Sequence, residues 1–293
     1  MAIDQTEGQQ SPLFAPGATV SPRAYLRRIW GLRHFIKAAA RGRLTARNQG
    51  MVLGSLWLVL EPLLFVIVYF IIFELILDAS RGVENFFLFL AVGRLVFGNH
   101  QAAVLGAAQS LTDNPALVRD SSMPKAVLPI GVSVSNFYQW GLDLVVMAVV
   151  AVSTGAWPRL SWLLVAPLSV GIVALNMGIG LLLAPVVAEY GDLKRALPVV
   201  FRLLFYASGV MFPIEPFVAE FEQANLIFAI LMLNPIYGYV KAMQWAVFGY
   251  DLGLPLIAAL VSVGWTLLLL PLGFYLFARR ERKVGAFRYQ VNG

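Results

Sequence analysis

The feature that most constrains this chain is the recurrence of apolar blocks of about 20 residues, the length at which a helix crosses ~30 Å of hydrocarbon. Six such blocks are read near 54–77, 86–108, 126–153, 161–187, 198–212 and 253–278. Composition agrees: 59% of residues are hydrophobic and 13% charged, where a soluble domain would carry roughly 25% charged residues. The expected fold class is an all-α polytopic membrane protein with six transmembrane helices. The block at 198–212 is short. The segment 213–250 after it holds Glu215, Glu220 and Glu222, then an apolar run too brief to span, and reaches Asn234-Pro235. It is read as a re-entrant outer hairpin between spans five and six, dipping back into the outer leaflet.

Lysine and arginine set the orientation. With the N-terminus inside, 17 of the 22 lie on the inner side; Arg81, Arg159 and Lys241 lie outside, and Arg94 and Arg202 fall within spans. Such a bias places both termini in the cytoplasm. The net charge of +6 is thus charge stacked on one face of a membrane, and no nucleic-acid partner is expected. Residues 1–20 are polar and rich in Gly, Pro and Gln, and are read as a disordered tail without a cleavable signal. Residues 21–50 form a basic amphipathic helix at the cytoplasmic interface. There Tyr25, Leu26, Ile29, Trp30, Phe35 and Ile36 recur at helical spacing between arginines. Such a helix serves as an anchor, or as a collar that also touches a soluble partner. Residues 279–293 form a basic cytoplasmic tail.

Several chemistries are excluded. None of the five lysines closes a Gly-x-x-x-x-Gly-Lys-Ser/Thr loop, so ATP is not bound by that route. There is no cysteine, so thiolate metal sites and disulfides are out. His34 and His100 are too isolated to form a metal site. No Gly-x-Ser-x-Gly elbow is present. The scattered acids Asp113, Asp120, Glu189 and Asp192 do not make a metal-binding active site for phosphate chemistry. No catalytic residue, metal or cofactor is assigned to this chain.

Residues 109–129, QSLTDNPALVRDSSMPKAVLP, contain helix signals in a polar connection. Asp113 or Asn114 can cap a short helix with Pro115 at its first position, and Pro124 should end it. A short stiff helix bent between two spans can transmit force from a soluble partner.

From here the chain resembles the permease subunits of type-two ABC exporters, in particular those for O-antigen, capsule, teichoic-acid-like and other cell-envelope polysaccharides. An Arg-rich amphipathic helix leads into Leu53, Gly54, Leu56, Trp57 and Pro62; Pro124, Lys125 and Pro129 match a later element; Asn234-Pro235 follows the outer hairpin. Two elements depart from the family pattern. Tyr-Arg-Asp-Leu reads Tyr190-Gly191-Asp192-Leu193, and Ser-Pro-Val reads Ser208-Gly209-Val210.

The resemblance covers nearly the whole chain. It implies an exporter transmembrane domain over 51–293 in the bacterial inner membrane, working as a homodimer. Two copies of a separate ATPase subunit would bind ATP and Mg beneath it. The segment 113–125 would be the coupling helix, meeting the ATPase through Asp113, Asn114, Pro115, Leu117, Arg119 and Asp120, with Arg27, Arg28 and Arg33 beside it. The cargo would be a lipid-linked polysaccharide; a drug or lipid exporter of the same superfamily, or an integral membrane enzyme acting on polyprenyl phosphates, are the alternatives.

In the first span Trp57, Glu61, Phe65, Tyr69 and Phe73 stand four residues apart and form a slanted stripe. Aromatic faces stack on sugar rings, and weak repeated contacts permit movement. The alternative is packing against lipid or neighbouring helices. Glu61 inside a span must face protein or water. Phe201, Arg202, Phe205 and Tyr206 would form a second wall. Arg202 is read as a partner of Glu61 or of a carrier phosphate, and Arg94 with Asp143 as another structural pair.

Overall fold

The computed structural model describes residues 22–47, 54–77, 83–120, 123–249 and 255–286; the expected tail 1–20 and the ends at 48–50 and 287–293 lie outside them. Among the described residues every regular element is helical. In order they are α1 (Pro22–Gly31), α2 (Arg33–Arg47), α3 (Trp57–Phe70), α4 (Phe86–Asp113), α5 (Pro115–Asp120) and α6 (Val127–Ser153). Then follow α7 (Val165–Glu189), α8 (Leu193–Tyr206), α9 (Ile214–Val218), α10 (Ala224–Met232), α11 (Tyr237–Phe248) and α12 (Pro255–Ala286). A π-helical turn, Ile71–Ile76, prolongs α3, and a 3-10 turn, Leu160–Leu164, precedes α7.

Among the described residues five stretches are long and apolar enough to span: Val59–Ile76, Phe86–Asp113, Val127–Ser153, Leu160–Glu189 and Leu256–Glu281. They match five of the six expected blocks. The sixth, 198–212, is corrected. Its helix α8 has 14 residues, or ~21 Å at the usual rise, short of the hydrocarbon thickness. The chain then turns at Gly209, whose φ of +63° is a left-handed conformation that glycine adopts freely. The missing length is supplied by a broken pair, α10 and α11, which meet at 93°.

Side-chain bonds fix the two ends of the bundle. At one end Asn85 Nδ2 donates to Thr154 O at 3.2 Å, and the turn before α7 donates to the end of α11: Arg159 to Phe248 O, Ser161 to Ala246 O, Trp162 Nε1 to Val247 O at 2.7 Å. At the other end Lys194, opening α8, pairs with Asp113, closing α4, at 2.8 Å. The segment from α8 to α11 therefore carries the chain once from one end of the bundle to the other.

The hub is α4, buried along most of its length with Phe89, Phe97 and Val104 inside the core. Its buried His100 meets Asn176 of α7, Nδ1 to Oδ1 at 2.6 Å. The helices α7 and α12 pack backbone to backbone. A Cβ on Gly178 would stand 2.7 Å from the backbone nitrogen of Leu270, so only glycine admits this approach. In contrast, Val66 alone is buried among the described side chains of α3, and Phe201 alone in α8. These two helices form a sparsely covered side of the bundle.

The amphipathic segment is two helices that meet at Leu32 rather than one. Tyr25, Ile29 and Ile36 are buried in a second cluster with Leu111, Val118, Ala126 and Phe277, while Leu26, Trp30 and Phe35 are exposed. The expected apolar face is thus split between the bundle and the surroundings.

Candidate functional site: an aromatic face and an elbow

Residues four apart on α3 bring their rings into contact. Phe65 and Tyr69 have centroids 6.0 Å apart, and Tyr69 and Phe73 6.4 Å. The second wall joins this ladder at Phe205, 6.1 Å from Tyr69, and Phe212 stacks on Phe73 at 6.4 Å. Tyr206 extends it as an exposed edge on Phe205, 5.6 Å away. Phe212 was absent from the sequence reading; it lies beyond α8, where no helical period leads to it. Trp57 and Glu61 are exposed below the ladder on α3.

Not every expected residue shares that face. Phe201 is buried against Phe97 and His100, with centroids 6.4 and 5.5 Å away, and belongs to the core side of α8. Arg202 is exposed on the other side of α8. No ion pair joins Glu61 to Arg202 among the described residues. Glu61 instead shares a cavity with Arg94 and Asp143, because Arg94 extends along α4 toward α3 and lies 5.1 Å over the Phe65 ring.

The elbow begins as expected, with Pro115 as the first residue of α5, where a missing N–H costs nothing. The candidate caps do other work. Asn114 Nδ2 donates back to Ser110 O at 2.8 Å, and Asp113 holds Lys194. Pro115 and Leu117 are exposed and Val118 is buried, so the short helix has an outer and an inner side. The side chains of Arg119 and Asp120 lie outside the described residues. Arg27 and Arg33 are exposed on the neighbouring helices and Arg28 is half-buried.

A network missed by sequence reasoning ties the elbow down. Glu281, near the end of α12, accepts from Tyr25 Oη and from the Lys125 backbone N–H, the latter at 2.5 Å. Lys125 Nζ donates to Val118 O at 2.7 Å. Burial, then the charge of Glu281, raises the Tyr25 pKa above the usual tyrosine value, so its phenol stays protonated and donates. These partners are 156 or more residues apart, beyond the reach of spacing rules.

Comparison with known proteins finds that the chain is similar, over most of its length, to permease proteins of polysaccharide export systems. No family model matches it. It is 28% identical over 232 residues to the O-antigen export system permease protein RfbA of Myxococcus xanthus, covering 78% of this chain and 85% of the relative. A protein of the same name from Klebsiella pneumoniae is 24% identical over 237 residues, 79% of this chain and 87% of its own length. The polysialic acid transport protein KpsM of Escherichia coli is 24% identical over 241 residues, 78% of this chain and 86% of its own length.

Proposed function

We propose that this chain is the membrane half of an ATP-driven exporter that moves a lipid-linked cell-envelope polysaccharide out of the bacterial cytoplasm across the inner membrane. The observation that carries this reading is the ring ladder on a sparsely covered side of the bundle, flanked by the exposed charges of Glu61 and Arg202. Charges at that depth are not left against lipid. A second copy of the chain would cover that side and leave a hydrated path between the two, with rings offering stacking surface to passing sugars. The names of the relatives, O-antigen export permeases and a polysialic acid transporter, support the same cargo class.

Two separate ATPase subunits would dock on the end that carries α5, binding ATP and Mg and closing against Pro115 and Leu117, with Arg27, Arg28 and Arg33 beside them. Asp113, Asn114, Arg119 and Asp120 would shape that contact. Both termini would face the cytoplasm, as the charge bias requires, and α1 and α2 would lie at the inner interface with Trp30 in the headgroup layer. The outer segment 213–250 would dip into the outer leaflet above the path. Trp57, Phe65, Tyr69, Phe73, Phe205 and Tyr206 would line the path.

The test is removal of the chain from its native host, followed by staining of surface and internal polysaccharide. The expected result is polymer lost from the surface and held inside. Unchanged surface polymer would overturn the reading.

A further inference from the structure

Between α3, α4 and α6 lies a part-open cavity of about 300 Å³ lined by Glu61, Arg94, Asn99, Gln139 and Asp143, among others. That volume is at the small end of ligand sites and suits one ring rather than a chain. Its bonding is incomplete in a specific way. Asp143 accepts from Gln139 Nε2 at 3.0 Å and from Asn99 Nδ2 at 3.4 Å. The Gln139 amide is thereby oriented, since its nitrogen must face the carboxylate. Its Oε1 is left buried without a hydrogen-bond partner, on a side chain only 9% exposed. A buried acceptor without a donor is costly, and what it lacks is a donor group.

The charges narrow the chemistry further. Two carboxyl groups, Glu61 and Asp143, act on the single guanidinium of Arg94, so the cavity has no surplus positive charge for a phosphate. It offers acceptors at Glu61 and Gln139 and donors at Arg94. A sugar hydroxyl both donates and accepts, and so matches this mixture. Gly98 holds the arrangement open: the Arg94 guanidinium occupies the space where a Cβ on Gly98 would stand. The same guanidinium covers Phe65, so the cavity adjoins the first rung of the ladder.

We propose that this cavity is a subsite for one uncharged, hydroxyl-bearing sugar ring of the transported polymer, with Gln139 Oε1 and Glu61 accepting hydroxyl protons and Arg94 donating to a hydroxyl oxygen. The proposal rests on the polysaccharide reading above. It makes the path selective for neutral units at this point, and leaves the carrier phosphate to be bound elsewhere.

The experiment uses the full chain in lipid nanodiscs and saturation-transfer difference NMR. The probes are methyl α-D-mannopyranoside, methyl β-D-galactopyranoside and mannose 1-phosphate. A methyl glycoside should bind in preference to the phosphate. Gln139→Leu, which removes the acceptor, and Gly98→Ala, which displaces Arg94 while keeping every polar group, should each weaken binding about tenfold with the helical melt retained. Equal binding by both variants, preference for the phosphate, or no glycoside signal (the cavity then holding water only) would overturn the subsite. Surface polymer in cells carrying the same variants separates the two levels. Normal export without glycoside binding removes the subsite alone, whereas normal surface polymer in cells lacking the whole chain removes the exporter reading beneath it.

Discussion

Lys241 and Glu215 form an ion pair at 2.8 Å inside the protein, their side chains only 7% and 11% exposed. Tyr237 Oη donates to the same carboxylate at 2.8 Å, and the Lys241 ammonium lies 5.4 Å over the Phe89 ring. The pair fastens α11 to the segment after α8. Removing one partner leaves an uncompensated charge, so Lys241→Met should cost about 3–5 kcal/mol. Adding Glu215→Met should restore much of that loss. Thermal unfolding followed by intrinsic tryptophan fluorescence distinguishes the two; a single variant as stable as the wild type would show that the pair holds nothing.

Gly209 sits against this pair. With φ at +63° and space for a Cβ only 2.9 Å from Lys241 Nζ, Gly209→Ala should destabilise by about 1–2 kcal/mol. Gly209→Pro should be worse, because proline fixes φ near −65°. Expression yield and melting temperature in detergent give the ranking, and a proline variant matching the wild type would contradict the turn.

At the other end, Tyr25→Phe removes the hydrogen bond to Glu281, a loss of about 1 kcal/mol. The folded pKa of Tyr25 is raised above its ordinary value of 10.0, with Glu281 and Arg28 as the charged neighbours. A raised pKa contributes stability that is complete below the unfolded value and lost only as pH climbs past it toward the folded one. The gap between wild type and Tyr25→Phe should therefore stay constant from pH 6 to 9 and close only above about pH 10. Limited proteolysis of residues 22–47 across that range reads it directly.

Tyr69 and Phe201 are both aromatic and separate two kinds of effect. Phe201→Ala empties a buried site and should cost about 3–5 kcal/mol, with loss of folded protein. Tyr69→Ala removes a half-buried rung between Phe65 and Phe73 and should leave folding intact while lowering polymer export several-fold. Surface polymer normalised to permease abundance tells them apart.

Leu117 is exposed on α5, and Leu117→Asp places a charge on the proposed docking side. The melting temperature should be unchanged, while co-purification of an ATPase bearing a phosphate-binding loop should fall at least tenfold. Undiminished co-purification would move the contact away from this helix.

What was legible in the sequence follows the range of the forces involved. Five spans announce themselves because length and apolarity are local properties, and Pro115 marks the start of α5 for a local steric reason. The ladder from Phe65 to Phe73 was legible because four-residue spacing puts side chains on one face. The 198–212 block was legible as short, but not that its helix stops at Tyr206, since the apolar run 203–212 continues past the point where Gly209 turns the backbone. Lys241 was read only as a charge on the outer side; its distant partner Glu215 explains its burial. Glu61 was read as facing protein or water; that it shares a cavity with Arg94 and makes no pair with Arg202 depends on how α3 lies across α4, which no spacing within one helix encodes.

The glycine seam between α7 and α12 has a mechanical consequence. Two helices in backbone contact have no side-chain cushion in which to absorb a displacement, so they tilt together as one lever. One end is gripped by Glu281 through Lys125 and the elbow. Toward the other end Thr266 bonds to Tyr239 of α11 at 2.8 Å, two residues from Lys241. In the proposed exporter, a push on α5 would therefore reach the opposite end of the bundle as a strain on the Lys241 clasp.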